Sequence, residues 1–235
     1  MKIEIWSDVA CPWCYVGKRR FEQALARFPH EGALDITWRS FELDPQAPAR
    51  RDEPLVEHLA SKYRVPVAQA EAMNARLAGE ARKEGLELRL DRVVLGNTFD
   101  AHRVIHLACT LGLRSEAVER LFEAYFVDGA SLGDHETLVT LATEVGLPAD
   151  RTRQMLASDE FAAAVRADQA RARGFGISGV PFFAIDERYG VSGAQPPEAI
   201  LGALTQAWEE SHPPTVLTPA GREDADGCTD ESCTI

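Results

Sequence analysis

The sequence predicts an α/β fold in which a small sheet is split by a long helical insertion. Three observations carry this reading. The first fifty residues run strand, helix, strand, the order of a parallel βαβ unit. Residues 51–156 then follow a helical apolar period with no β-rich run. After them come one more helix, two short β-rich segments and a last helix.

Each element has a local cause. Ile3, Ile5 and Trp6 give an early strand over residues 2–7. Residues 8–10 (Asp-Val-Ala) form a turn, and Cys11-Pro12 opens a helix reaching to about Phe28, since proline suits a first turn that leaves its N–H unpaired. Residues 34–43 (LDITWRSFEL) are rich in β-branched and aromatic types and read as the second strand. Pro45, Pro48 and Pro54 mark a boundary. Helices follow, striped by Leu55, Val56 and Leu59, then at residues 68–83, 99–111, 117–126 and 135–145, with Gly112, Gly133 and Gly146 as stops. Ser158 is expected to cap a helix through Arg173, ended by Gly174 and Gly176. Residues 182–185 and 189–192 are two short strands, and Pro196-Pro197 starts a helix through Trp208.

The order βαβ, helices, αββα is that of the thioredoxin fold with a large all-helical insertion. Its expected divisions are residues 1–50 and 157–210 for the thioredoxin-like part, 51–156 for the insertion, and 211–235 for a tail carrying Cys-X4-Cys. The 235 residues can bury an ordinary core. A net charge of −12 argues against nucleic acid as a partner. No run approaches the ~20 apolar residues of a membrane span. The N-terminus shows no basic segment followed by an apolar one, so a cytoplasmic location is expected. In a reducing compartment the five cysteines are then read as catalytic or metal-binding rather than as staples.

Cys11-Pro12-Trp13-Cys14 carries the chemistry. Two intervening residues in a helical turn bring two sulfurs within disulfide reach. Cys11 sits where a helix start presents unpaired N–H groups, a field worth up to ~2 kcal/mol to an anion. Cys14, one turn along and less exposed, is the resolving thiol. The alternatives are half of a zinc site or two buried thiols, but a Cys-X-X-Cys lying between a first strand and a first helix points to redox work. Val180-Pro181 directly precedes the late strand pair, where a thioredoxin-like fold places a cis proline facing the active-site sulfurs. Pro12, Trp13 and Val180 would then border an extended substrate.

Other residues are read more plainly. Asp8 either relays a proton for Cys14 or caps the Cys11 helix. Thr98 is an N-cap candidate. His102 and His106 stand four apart, the spacing of a metal pair, but lack further ligands nearby and are read as packing or hydrogen-bonding groups, with no metal. Cys109 is expected to be a buried apolar residue. Cys228 and Cys233, twenty residues and more beyond Trp208, could exchange with the first pair, form a local disulfide, or bind metal; the sequence leaves these open.

The segments SDVACPWCYVGKRRFE at Cys11, NTFDAHR at Asn97 and GISGVPFFAIDERYGVSGAQPPE around Pro181 resemble the DsbA superfamily, specifically its FrnE-like branch, related to 2-hydroxychromene-2-carboxylate isomerases. They span nearly the whole chain in order, and the CTDESC ending resembles that branch's Cys-X4-Cys tail. The resemblance implies a thioredoxin fold with a helical insertion, Cys11 as nucleophile, Cys14 resolving and Pro181 cis. It further implies that Asn97, Thr98 and His102 lie near the site. A cytosolic glutathione pool would hold such a pair largely reduced, so reductase or isomerase work on protein thiols and disulfides is expected, with oxidase activity under oxidative stress. No cofactor is expected beyond the redox-active pair, with glutathione or another thiol as electron partner. Trp13 departs from periplasmic DsbA, which has histidine there, so a strongly oxidising poise does not carry over. The resembled isomerases have serine where this chain has Cys11, which favours redox chemistry over a glutathione-dependent isomerase acting on a small aromatic substrate. Oligomeric state is left open.

Overall fold

In the computed structural model, residues 1–213 are described. Lys2–Ser7 forms β1, and its apolar Ile3, Ile5 and Trp6 are wholly buried because this strand is central and covered on both faces. Pro12–Leu25 forms α1 and Asp35–Ser40 forms β2, parallel to β1 with Lys2 opposite Asp35 and Ser7 opposite Ser40. The βαβ unit is therefore as expected, though both later elements stop early. Pro29 disfavours helix at Phe28, so α1 ends at Leu25. β2 ends at Ser40; Phe41 N–H still bonds the Ser7 carbonyl at 3.1 Å, and Leu43 N–H then turns to the Asp8 carboxylate at 2.7 Å.

The insertion supplies α2 (Leu55–Tyr63), α3 (Val67–Lys83), α4 (Phe99–Thr110), α5 (Arg114–Glu123), α6 (His135–Glu144) and α7 (Ala149–Leu156), with a π-helical turn at Ala124–Asp128. Gly112 and Gly146 end α4 and α6 in the left-handed conformation, φ +74° and +94°, and the next N–H in each case returns five residues to a helix carbonyl. Gly133 is no helix stop. A Cβ there would lie 1.9 Å from the Ala49 carbonyl oxygen, so its smallness admits the proline-rich loop.

Then follow α8 (Ala162–Gly174), β3 (Phe182–Ile185), β4 (Tyr189–Ser192) and α9 (Pro197–Ser211). The expected cap of α8 is corrected. Ser158 Oγ accepts from Glu160 N–H in a turn, and the helix begins after Phe161, whose φ of +62° breaks the run. Strand order is β2-β1-β3-β4, with β3 antiparallel to both its neighbours. This is the thioredoxin-like fold, a mixed four-stranded sheet with nine α-helices among the described residues.

One core layer joins Ile3, Ile5, Phe183 and Ile185 to α1 and α9, and Trp6, Ala172, Ile177 and Ala184 pack on α8's side. The largest cluster lies in the helical insertion and takes in Cys11, Cys14, Tyr15 and Val16 of α1. The two cysteines thus sit at the seam between sheet and helices. Among the described residues no helix is long and apolar enough to cross a membrane.

Candidate active site

The turn after β1 sets the first sulfur. Asp8 Oδ1 accepts from Ala10 N–H at 3.2 Å and Oδ2 from Leu43 N–H, while Cys11 N–H bonds the Asp8 carbonyl at 3.0 Å. Asp8 therefore shapes the turn and does not cap α1. Cys11 itself occupies the N-cap position with extended backbone (φ −95°, ψ 110°), and no side chain caps the helix. Its sulfur therefore stands at the positive end of the α1 helix field. Cys14 N–H bonds the Cys11 carbonyl at 2.9 Å, which places Cys14 one turn in.

The two thiols differ in environment. Cys11 is 5% exposed and Cys14 1%, and both are free. Burial, and then the neighbouring Cys11 sulfur, push the Cys14 thiol well above its ordinary value, while the Ser7 hydroxyl and the Asp8 backbone pull the other way. Opposite them, the Val180-Pro181 bond is cis, as expected, and the Cys11 thiol donates to the Val180 carbonyl oxygen at 3.6 Å. Pro181 is buried against Gly17 of α1, where a Cβ would fall 2.8 Å from the proline ring. Gly17 is a residue the sequence reading missed; its need for smallness depends on a partner 164 positions away.

A cavity of about 250 Å³ opens beside Cys11. Pro12, Trp13, Thr98 and Tyr125 line it, with Leu55, Leu59 and Leu77 of α2 and α3 as an apolar roof. Arg51, His58, Lys62 and Arg76 stand round it. Arg51 pairs with Asp44 at 2.8 Å and His58 with Glu53 at 2.8 Å, whereas Lys62 and Arg76 make no ion pair among the described residues. Trp13, 38% exposed, edges the opening.

Of the three residues in NTFDAHR that the resemblance implies near the site, only Thr98 reaches this cavity. Asn97 instead closes the α4 start and the preceding loop: its Oδ1 accepts from Phe99 N–H at 2.8 Å and its Nδ2 donates to the Ala47 carbonyl. It takes the capping task expected of Thr98, whose side chain makes no cap bond. His102 is buried, with Nε2 3.5 Å from Asp8 Oδ1. His106 faces elsewhere, 3.1 Å from Asp168 and 3.2 Å from Ser40 Oγ, so the two histidines do not converge. No group of three metal-ligating side chains occurs among the described residues. Cys109 is half-buried beside Arg114, not in the core as expected. Cys228 and Cys233 lie outside the described residues.

The DSBA-like thioredoxin domain model matches residues 2–205, almost the whole described chain. The chain belongs to the DSBA-like thioredoxin family. A probable DsbA oxidoreductase from Streptomyces coelicolor is 43% identical, covers 100% of this chain and 99% of that one, and superposes with a TM-score of 0.87. The Bacillus subtilis (strain 168) protein YwbO is 29% identical over 149 residues, 62% of this chain and 66% of that protein, so the match falls just short of two thirds of its length. A 2-hydroxychromene-2-carboxylate isomerase structure is similar in fold, with 14% identity, a TM-score of 0.67, and coverage of 90% and 98%. Membership in this oxidoreductase family accords with thiol–disulfide exchange or isomerisation as the class of chemistry.

Proposed function

We propose that this DSBA-like protein is a thiol–disulfide oxidoreductase that reduces or isomerises protein disulfides through Cys11 and Cys14. One observation carries the reading: the Cys11 sulfur stands at an uncapped helix N-terminus facing a cis Val180-Pro181, while Cys14 is sealed one turn behind it. The Cys11 thiolate attacks a substrate sulfur, and the mixed disulfide forms as the substrate's second sulfur leaves. Cys14 then attacks Cys11, closing the internal disulfide and releasing the substrate dithiol. Run backwards, the same steps oxidise a substrate, the direction expected under oxidative stress. A cytosolic glutathione poise near ~−220 to −320 mV holds such a pair mostly reduced, which favours the reducing direction. Glutathione or another thiol would return the electrons. Pro12, Trp13 and Val180 border the sulfur and would lie along the substrate; Cys228 and Cys233 are an auxiliary dithiol in this reading.

Insulin reduction tests it. Cys11→Ser abolishes turnover, and Cys14→Ser leaves a trapped mixed disulfide visible by mass; full activity in Cys11→Ser overturns the assignment. Cys228→Ser, assayed in parallel, loses turnover if the tail passes electrons and is unchanged if the N-terminal pair suffices.

The cavity favours a second reading, in which a small thiol such as glutathione is bound for isomerase or transferase work on a small aromatic molecule. At about 250 Å³ it is near the small end of ligand sites (~300–1,000 Å³), and Lys62 and Arg76, which make no ion pair among the described residues, suit a carboxylate-bearing occupant. Conversion of such a molecule by Cys14→Ser would distinguish this from disulfide exchange, which needs both sulfurs.

A further inference from the structure

Cys14 has a proton to lose and no contact with solvent. Its thiol is pushed up by burial and by Cys11, so its attack on a mixed disulfide requires an assisted proton transfer. The large cavity gives no help, since Cys14 does not line it.

A second, much smaller cavity lies on the other side, between β1, β2 and α4. Its volume is about 10 Å³, that of one water molecule. Ser7, Arg39, Ser40 and His102 line it, with Trp38 and Ile105 among its apolar walls, and Arg39 is tied to Glu4 and Asp168. Ser7 Oγ and His102 Nε2 are both buried, and neither has a hydrogen-bond partner among the described residues. An unsatisfied buried polar atom costs about 1–3 kcal/mol, so two of them on one water-sized void point to a polar occupant bonded to both. Of the groups acting on Cys14, the Ser7 hydroxyl is the foremost that favours its thiolate. His102 Nε2 is 3.5 Å from Asp8 Oδ1, and Asp8 is among the residues that line the large cavity. The histidine is held there because His106, one turn along α4, is tied to Asp168 and Ser40 on the sheet side.

We propose that Ser7, a water molecule seated between it and His102, and His102 itself form the path by which the Cys14 proton leaves. The idea rests on Cys14 being the resolving thiol. The Cys14 proton passes to Ser7 Oγ as the Ser7 proton moves to the water and a water proton moves to His102 Nε2. The Cys14 sulfur, now anionic, bonds the Cys11 sulfur; the bond from Cys11 to the substrate sulfur breaks, and the electron pair departs on the substrate thiolate. The imidazolium left beside Asp8 returns its proton toward the large cavity, where the departing thiolate can take it. His102 is therefore a proton carrier one shell behind the sulfurs, not the substrate contact that the sequence resemblance implied.

Dithiobis-nitrobenzoate separates the steps. Mixed at one equivalent with reduced protein in a Cys109→Ser, Cys228→Ser, Cys233→Ser background, it releases one coloured thiolate when Cys11 attacks and a second when Cys14 resolves. His102→Gln, which keeps a polar side chain that cannot take up a proton, should slow the second release by roughly 10²-fold and leave the first unchanged. In the background protein the second release should slow in heavy water, and the variant should lose that sensitivity. Should His102→Gln not fold, Ser7→Ala and the heavy-water comparison decide alone. A second release that is as fast in the variant, or indifferent to heavy water, overturns the relay while two equivalents are still liberated. If the background protein liberates only one equivalent, it is the resolving role of Cys14 that fails.

Discussion

The Gly17–Pro181 contact shows how closely individual atoms are fitted around the sulfurs. A methyl group added at Gly17 meets the proline ring at 2.8 Å, so either α1 or the Val180-Pro181 loop must give way. Gly17→Ala is therefore expected to cost about 1–3 kcal/mol, as overpacking does, and to lower insulin-reductase turnover by loosening Cys11 from Val180; unchanged activity with normal stability would contradict this. Cys11, Cys14 and Pro181 were legible in the sequence because their chemistry is encoded locally, in a four-residue spacing and a proline ahead of a strand. Gly17 and Ser7 were not, because what makes them matter is a neighbour distant in the chain. Asp8 was legible only as a choice between two tasks, and its two backbone bonds give it a third, the shape of the turn.

Among the elements, α4 does the most to position the site. Asn97 bonds anchor its start to the proline-rich loop, Arg103 reaches the carbonyls of Met155 and Glu160 at 2.5 and 2.8 Å, and His106 holds it to Asp168 of α8 and Ser40 of β2. Its presence and length were clear from periodicity, whereas the identity of its cap was not, since Asn97 and Thr98 are adjacent and both are capping types. α6 offers a clean test of capping, because Asp134 accepts from Thr137 N–H at 2.8 Å. Asp134→Ala should lower stability by about 1 kcal/mol in urea unfolding, with the N-terminal sulfurs still fully active. Where prediction misplaced the start of α8, the reason was a single left-handed Phe161, a conformation that nothing in its side chain announces.

At the scale of the molecule, a charged seam binds the sheet to α8. Glu4 on the central strand is buried between Arg39 at 2.6 Å and Arg171 at 2.6 Å. Burial alone would raise its pKa, but the two guanidiniums outweigh this and hold it at about 2. A carboxyl depressed in the folded state stabilises fully above its unfolded value of 4.5, and that contribution drains away as pH falls from there toward 2. The shift corresponds to about 3 kcal/mol, so acid unfolding of the wild type should steepen over that interval and Glu4→Gln should flatten it; superimposable pH profiles would refute the assignment. The topology that makes this seam was readable from element order. The large cavity was not, because it exists only once α2 and α3 fold over Cys11. If it holds small anions, Lys62→Glu with Arg76→Glu should raise KM for a carboxylate-bearing disulfide with little change for an uncharged one.

Both sulfurs belong to the same packed interior as Tyr15, Val16 and the insertion helices. Joining them therefore changes how tightly that interior fits, and by thermodynamic linkage any preference for one oxidation level must reappear as a difference in melting temperature between the two forms. Whichever form survives to the higher temperature is the one the chain is built to keep, so a pair of calorimeter scans would reveal whether it is by design a donor or an acceptor of electrons.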